Sequence, residues 1–173
     1  MILFLDNYDS FSNNIIKKIC FKKIKINFIT FSINNFYINF IVEKIIFFGP
    51  GPNNTINSNL NSIIIDKFIG KKKLIGLCLG HQIISCYFGY KIFKLNIFFH
   101  GQFKKIIFFL NKYKIFITKK IISYNSLSCI GFYRLKNFSK KNFELFIINN
   151  NFLKIKSYQF HPESIISNKN IFI

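Results

Sequence analysis

Three side chains in this sequence, a cysteine, a histidine and a glutamate, could together perform nucleophilic catalysis. Cys78 lies in the stretch GLCLG at positions 76–80, directly after an apolar run. His161 and Glu163 are separated only by Pro162, which restricts the backbone between them. A cysteine reacts as its thiolate, so a histidine base that is oriented by a carboxylate would activate it. These residues therefore predict nucleophilic catalysis by a cysteine.

The surroundings of Cys78 are typical of a nucleophile elbow, a tight turn between a strand and a helix. Side chains two residues before and after the nucleophile would clash in such a turn, and glycine at positions 76 and 80 removes that clash. Backbone N–H groups at the start of the following helix favour a thiolate. The alternative is a buried strand that runs into a buried helix, with Cys78 as one more small apolar residue.

The sequence also admits two other interpretations. The run Leu74–Tyr90 contains no charged residue and is flanked by lysines, as a membrane helix would be. It also contains glycine, serine, histidine and glutamine, which are poor choices for a span of about 20 apolar residues, so we expect no membrane association. Cys78 with His81, or His161 with Glu163, would be half of a metal site. No second pair stands at ligand spacing, so we expect no metal and a structural role for His81.

Length and composition predict one domain, residues 1–173, in the cytoplasm. The chain is long enough to bury a large core, and the four cysteines show no paired framework. No charged-then-apolar leader opens the sequence, because the apolar run Met1–Leu5 leads directly into Asp6, so we expect no secretion. The net charge of +19 accompanies an absence of alanine and an abundance of Phe, Ile, Lys and Asn, the residues of A- and T-rich codons. Our hypothesis is an AT-biased genome. Because the lysines are scattered along the chain, we expect no nucleic-acid partner.

The order of apolar segments predicts an α/β fold with a mostly parallel open sheet flanked by helices. Helical spacing is found around Ile15, over Asn57–Ile69 and after the elbow. Functional loops of such folds gather at the carboxyl ends of the strands. The predicted strands are Met1–Leu5, Ile24–Phe31, Ile45–Phe48 and Leu74–Leu77.

The second half of the chain predicts β-hairpins. Lys105–Leu110 would pair with Lys114–Thr118, and Phe143–Ile148 would pair with Leu153–Phe160. The second hairpin would turn at Asn149–Asn151, because asparagine tolerates left-handed backbone conformations.

Five motifs, in order over nearly the whole chain, carry a family resemblance. They are DNYDSF at 6–11, GPGP at 49–52, GLCLGHQ at 76–82, SYNSL at 123–127 and QFHPES at 159–164. Together they resemble class I glutamine amidotransferases, in particular the glutaminase subunits of anthranilate synthase and of aminobenzoate synthesis. The resemblance implies hydrolysis of L-glutamine through a cysteine thioester. Ammonia would pass to a chorismate-using synthase large subunit that makes anthranilate for tryptophan; the alternatives are 4-aminobenzoate for folate, or an inactive scaffold subunit.

The resemblance also implies a role for individual residues. Cys78 would be the nucleophile, His161 would move the proton and Glu163 would orient His161. The backbone N–H groups of Gly51 and Leu79 would form the oxyanion hole. No cofactor is implied in this chain, and magnesium is expected only in the partner synthase; the stretch FHGQ at 99–102 would face that partner. The implied substrate-binding residues are Gly49, Pro50, Gly51, Gln82, Ser126 and Leu127.

The sequence departs from the family pattern at several positions. Phe47 and Phe48 stand where relatives usually have serine and proline, and Asn125 stands where they have histidine. The stretch after Glu163 is short for the closing helix. These departures leave the three catalytic candidates unchanged but predict weaker glutamine binding and dependence on the partner for stability.

Overall fold

A computed structural model describes residues 1–20, 26–30, 38–52, 59–95, 102–110, 115–123, 125–130, 140–141 and 144–161. The three helices among these residues are α1 (Ser12–Cys20), α2 (Asn59–Phe68) and α3 (Leu79–Tyr87). The first half of the chain contributes strands β1 (Ile2–Asp6), β2 (Ile26–Thr30), β3 (Ile45–Phe48) and β4 (Lys73–Leu77). The second half contributes β5 (Lys91–Lys94), β6 (Gln102–Leu110), β7 (Ile115–Ser123), β8 (Leu127–Ile130), β9 (Lys140–Lys141), β10 (Glu144–Leu145), β11 (Ile147–Asn150) and β12 (Ile155–Tyr158).

Six strands form the central sheet in the order β11-β12-β4-β3-β1-β2. Every neighbouring pair is parallel except β11 with β12. The chain moves outward from β1 to β2 in one direction and from β3 to β4 in the other, so the strand order reverses between β1 and β3. Open α/β sheets bind ligands in the crevice at such a reversal point. The predicted α/β fold with a mostly parallel sheet is confirmed.

Both faces of the sheet are covered by helices, because β1 and β3 alternate apolar side chains between the two faces. Leu3, Leu5, Ile46 and Phe48 pack with apolar residues of α2 and α3. Phe4 and Phe47 point to the opposite face, where they stack with ring centroids 5.0 Å apart and pack with Ile15 of α1. Strands buried on both faces are therefore continuous apolar runs, as in other parallel sheets.

The loop between β1 and α1 is held by side-chain hydrogen bonds. The Asp9 carboxylate accepts the Phe11 N–H at 2.7 Å, in the turn directly before α1 begins at Ser12. Ser12 Oγ donates to Asp6 Oδ1 at 2.6 Å in the buried part of the loop. Two short hydrogen bonds, one of them buried, thus fix the path of the chain as it leaves β1.

Both predicted hairpins are present, with one correction. β6 and β7 pair antiparallel, as predicted. β11 and β12 also pair antiparallel, but Asn150 is paired with Ile155, so Asn149 and Asn150 belong to the strand and the turn lies at 151–154. The left-handed conformation falls on Lys154, with φ 54°, and not on an asparagine. The register buries Ile147, Ile148 and Ile155, which outweighs the turn preference of asparagine.

The uncharged run Leu74–Tyr90 is a strand, a turn and the nine-residue helix α3. Among the residues that the structure describes, no helix has the length and apolar character to cross a membrane. The run is therefore not one continuous helix.

His81, which is fully buried, ties α3 to two strands of the second half. Its Nε2 lies 2.9 Å from the Leu145 carbonyl oxygen and its Nδ1 lies 2.9 Å from Ser157 Oγ. A carbonyl oxygen only accepts, so Nε2 carries the proton and Nδ1 of the neutral ring accepts from the Ser157 hydroxyl. Burial lowers the pKa of His81 to about 4, against the smaller opposing effect of the Leu145 carbonyl. These contacts agree with the structural role predicted for His81.

We expect the protein to lose stability as the pH falls through the range in which unfolded His81 binds a proton and folded His81 does not. That range runs from the ordinary value of 6.5 down to about 4, and stability is fully present above it. The accumulated loss of unfolding free energy is on the order of 3 kcal/mol. Urea unfolding over this range measures it, and His81→Gln should flatten the curve. An identical pH dependence in the two proteins would contradict the assignment.

Candidate active site

The predicted functional loops converge because four neighbouring strands end side by side. In sheet order β12, β4, β3 and β1 are adjacent and parallel, so their carboxyl ends lie at one edge. The chain leaves them at Gln159, Cys78, Gly49 and Asn7. The candidate site lies at this edge, beside the reversal point between β1 and β3.

Cys78 occupies the bend of a nucleophile elbow. Its backbone is left-handed, with φ 50° and ψ −102°, and its N–H donates to the Tyr158 carbonyl oxygen at 2.8 Å. A Cβ atom on residue 76 would lie 2.5 Å from the Gly80 carbonyl oxygen, and one on residue 80 would lie 2.1 Å from the Phe48 carbonyl oxygen. Side chains at these two positions are excluded, as the sequence pattern predicted.

The thiol of Cys78 is more accessible than that of Cys129. Cys78, Cys86 and Cys129 all carry free thiols, and Cys129 is fully buried. Burial raises the pKa of the Cys129 thiol to about 12, although a hydrogen bond from Ser85 acts in the opposite direction. Burial also raises the pKa of Cys86. Neither of these two thiols is suited to react as a thiolate at neutral pH.

His161 follows β12, the strand that pairs directly with β4. The structure therefore brings the predicted base and the predicted nucleophile to the carboxyl ends of adjacent strands. The His161 side chain is buried, and its ring packs on Phe11 with centroids 5.7 Å apart. Glu163, the predicted orienting carboxylate, lies outside the described residues, as do Pro162 and His100.

The turn at Gly49–Gly51 is held by Asn7, a residue that the sequence analysis did not single out. The Gly49 N–H donates to the Leu5 carbonyl oxygen at 2.9 Å, and the Gly49 carbonyl oxygen accepts from Asn7 Nδ2 at 2.8 Å. A Cβ atom on residue 51 would lie 2.5 Å from Asn7 Cβ and 2.9 Å from Leu79 Cδ2. The two predicted oxyanion donors, Gly51 and Leu79, are thus neighbours, and only glycine fits at position 51.

Gln82 and the segment Asn125–Leu127 form one polar cluster. Gln82 Nε2 lies 3.2 Å from the Leu127 carbonyl oxygen and 3.4 Å from Gln159 Oε1. Asn125 Nδ2 donates to the same Leu127 carbonyl at 2.9 Å. The Ser126 side chain is exposed, and its carbonyl oxygen accepts the Leu95 N–H at 2.9 Å. Three predicted substrate-binding residues are therefore brought together on one side of Cys78.

Gln159 was also missed by the sequence analysis, although it belongs to the QFHPES motif. Its side chain is fully buried and its Nε2 lies 4.0 Å from Cys78 Sγ. The only available signal was membership of a motif, which does not say which residue contacts the cysteine.

In the described ranges, His, Cys, Asp and Glu side chains form no cluster of three that could hold a metal ion.

Comparisons with known proteins agree with this geometry. The family model for class-I glutamine amidotransferases matches residues 3–173. Anthranilate synthase component 2 of Helicobacter pylori is 31% identical over 96% of this chain and 90% of that protein. Aminodeoxychorismate/anthranilate synthase component 2 of Bacillus subtilis is 29% identical over 96% of this chain and 90% of that protein.

A solved structure supports the fold independently of close sequence similarity. The glutamine amidotransferase of Methylobacillus flagellatus superimposes with a TM-score of 0.73 over 94% of this chain and 70% of that chain, at 9% identity. The elbow cysteine, the buried histidine that follows the neighbouring strand and the match over residues 3–173 lead to one conclusion. The chain belongs to the class-I glutamine amidotransferase family.

Proposed function

We propose that this enzyme is the glutaminase subunit of a chorismate-using synthase, in which it supplies ammonia for the synthesis of anthranilate. The observation that carries the proposal is the elbow cysteine at the end of β4, with His161 at the end of the paired strand β12. The names of the Helicobacter and Bacillus relatives support the pathway and imply a large-subunit partner.

The proposed reaction uses Cys78 and His161 in two steps. The Cys78 thiolate attacks the carboxamide carbon of glutamine, and the C–N bond breaks as His161 gives a proton to the leaving ammonia. Water then attacks the thioester while His161 takes its proton, which releases glutamate and restores the thiolate. Glu163 would hold the His161 ring in the orientation that both transfers need.

The charge that develops on the amide oxygen would be stabilised by backbone N–H groups. Leu79 is the first residue of α3, so its N–H has no acceptor within the helix and points outward at the positive end of the helix dipole. Gly51 lies against Leu79 and would supply the second donor. Loss of one such donor costs about 10²-fold or more in turnover.

Gln82 would recognise the substrate through its oxygen. Both protons of its amide nitrogen are directed at protein acceptors, the Leu127 carbonyl oxygen and Gln159 Oε1. An amide has two donor protons, so the group that remains for a ligand is the carbonyl oxygen Oε1. Glutamine offers two matching donors, its carboxamide nitrogen and its α-ammonium group.

Two alternatives differ from this proposal in partner or in activity. The same chemistry would serve 4-aminobenzoate synthesis, since the Bacillus relative carries both names. An inactive scaffold would keep the fold without catalysis; the buried Asn125 Oδ1, which has no hydrogen-bond partner among the described residues, is the observation that favours it. Identifying the large subunit that co-purifies with this chain separates the two pathways, and the assays below test activity.

Cys78 should be the cysteine that a chloroketone analogue of glutamine alkylates. The Cys78 side chain is partly exposed at the elbow, whereas burial raises the pKa values of Cys86 and Cys129 and keeps those thiols protonated. Peptide mapping after partial labelling locates the adduct, and Cys78→Ser should abolish it. A label found mainly on another cysteine would refute the assignment of the nucleophile.

His161→Ala should abolish synthesis with glutamine and leave synthesis with ammonium intact in the reconstituted complex. Ammonium reaches the synthase site directly, so only the glutamine reaction needs the proton transfer by His161. The expected loss with glutamine is about 10²-fold or more. Equal losses in both assays would show a role in assembly, and an unchanged glutamine rate would show that His161 is not the base.

Asn7→Ala should lower kcat for glutamine about tenfold or more with little change in KM. The substitution removes the hydrogen bond to the Gly49 carbonyl, and the turn then no longer holds the Gly51 N–H in position for the oxyanion. Ser12→Ala is the matched control: it removes another buried hydrogen bond of the same loop without contact to the turn. Steady-state kinetics of the complex distinguish the two. Equal effects of both variants would mean that Asn7 acts only through loop stability.

A further inference from the structure

A chain of side-chain amides connects a backbone carbonyl to the sulfur of Cys78. Gln82 Nε2 lies 3.2 Å from the Leu127 carbonyl oxygen and 3.4 Å from Gln159 Oε1, and Gln159 Nε2 lies 4.0 Å from Cys78 Sγ. Gln82 is 4% exposed and Gln159 is fully buried. The two amide side chains therefore meet protein groups and not bulk water.

The Leu127 carbonyl sets the direction of the hydrogen bonds along this chain of side-chain amides. The Leu127 carbonyl oxygen can only accept, so the Gln82 amide must present its nitrogen there. The second proton on that nitrogen faces Gln159, which must then present its oxygen to Gln82. The Gln159 nitrogen is consequently turned toward Cys78. The reversed orientation of Gln159 would set two donors against each other and place an oxygen lone pair against the sulfur.

We propose that Gln159 is a further catalytic residue, which donates an amide N–H to the Cys78 thiolate and is held in that orientation by Gln82. A donor that faces the sulfur favours its charged form. The contact is long in the free enzyme, and catalytic hydrogen bonds often shorten only when substrate is bound. This inference deepens the proposed function, on which it rests, since a stabilised thiolate is needed only if Cys78 is the nucleophile.

The arrangement also links substrate binding to the nucleophile. Gln82 is a predicted substrate-binding residue and the same side chain orients Gln159. A ligand that shifts the Gln82 amide would also shift the Gln159 amide bonded to it, and so would change the alignment of the Gln159 N–H with the sulfur.

The test is the pH–rate profile for alkylation of Cys78 by iodoacetamide in the full-length protein. This reagent reacts with the thiolate by displacement of iodide and needs neither glutamine nor an oxyanion hole. Gln159→Met keeps the approximate volume and removes the donor, so the midpoint of the profile should rise by roughly one pH unit, with a rate near pH 7 lowered about 3- to 10-fold. Gln159→Glu, which adds a carboxylate beside the sulfur, should raise the midpoint further.

The matched control is Ser157→Ala, which removes a buried hydrogen bond to His81 from the same strand without contact to Cys78. The titratable groups of the described elements around the elbow, among them Asp6, His81, Cys86, Cys129, Tyr158 and His161, are the same in all these proteins. Labelling of the buried Cys129 reports any unfolding of a variant.

The outcomes are distinguishable. A raised midpoint in both Gln159 variants, with the Ser157→Ala profile equal to wild type, supports the inference. Profiles of the Gln159 variants that equal that of Ser157→Ala overturn it and leave the proposed function intact. A wild-type Cys78 that reacts no faster than Cys86 overturns the proposed function itself.

Discussion

The close approach of α3 to β3 is the contact on which the site depends. The Cα atom of Gly80 lies so near the Phe48 carbonyl that a Cβ atom there would be 2.1 Å from the oxygen. This approach brings the start of α3 against the end of β3, so that Leu79 touches Gly51. It also forces the sharp bend at Cys78, which accepts a left-handed backbone in spite of its side chain. Such a conformation costs on the order of 1 kcal/mol or more and persists only where surrounding contacts hold it.

The turn at Gly49–Gly51 shows how much of this edge is held in place before any ligand arrives. The N–H and the carbonyl of Gly49 are bound by Leu5 and Asn7, respectively. Those two bonds orient the peptide units on both sides of Gly49. The next peptide, between Pro50 and Gly51, carries the N–H proposed for the oxyanion, and the Asn7 bond acts on it only indirectly, through the Gly49–Pro50 unit. A reorientation of that single unit would alter the oxyanion hole while the elbow stays fixed.

The unusual composition of the chain is compatible with this site because the apolar core tolerates substitutions that the close backbone contacts at the glycines do not. Apolar burial is non-directional, so isoleucine and phenylalanine can fill the core as long as volume and pattern are kept; the stacked Phe4 and Phe47 are an example. Gly76, Gly80 and Gly51 have no such freedom, since any side chain would meet backbone or Cβ atoms at 2.1 to 2.5 Å. The residues least open to replacement are therefore the ones that define the active-site edge.

The sequence by itself determined the class of fold, the elbow and the chemistry expected of Cys78 and His161. These follow from local rules: apolar runs of strand length, helical spacing, and glycine at the two positions where a tight turn excludes side chains. Local rules also located both hairpins, but they placed the second turn at the asparagines. The pairing of Asn150 with Ile155 shows that burial of neighbouring isoleucines decided the register.

Only the tertiary structure decided which motif residues act on one another. The strand order places β12 beside β4, which brings Gln159 to Cys78, and β1 beside β3, which brings Asn7 to Gly49. The tertiary structure also separated the roles of two histidines. His81 is hydrogen-bonded on both ring nitrogens by residues of β10 and β12, whereas His161 lies at the edge of the site. The physical reason is that a hydrogen bond depends on distance and direction between atoms, and strand order, which no local pattern encodes, sets both.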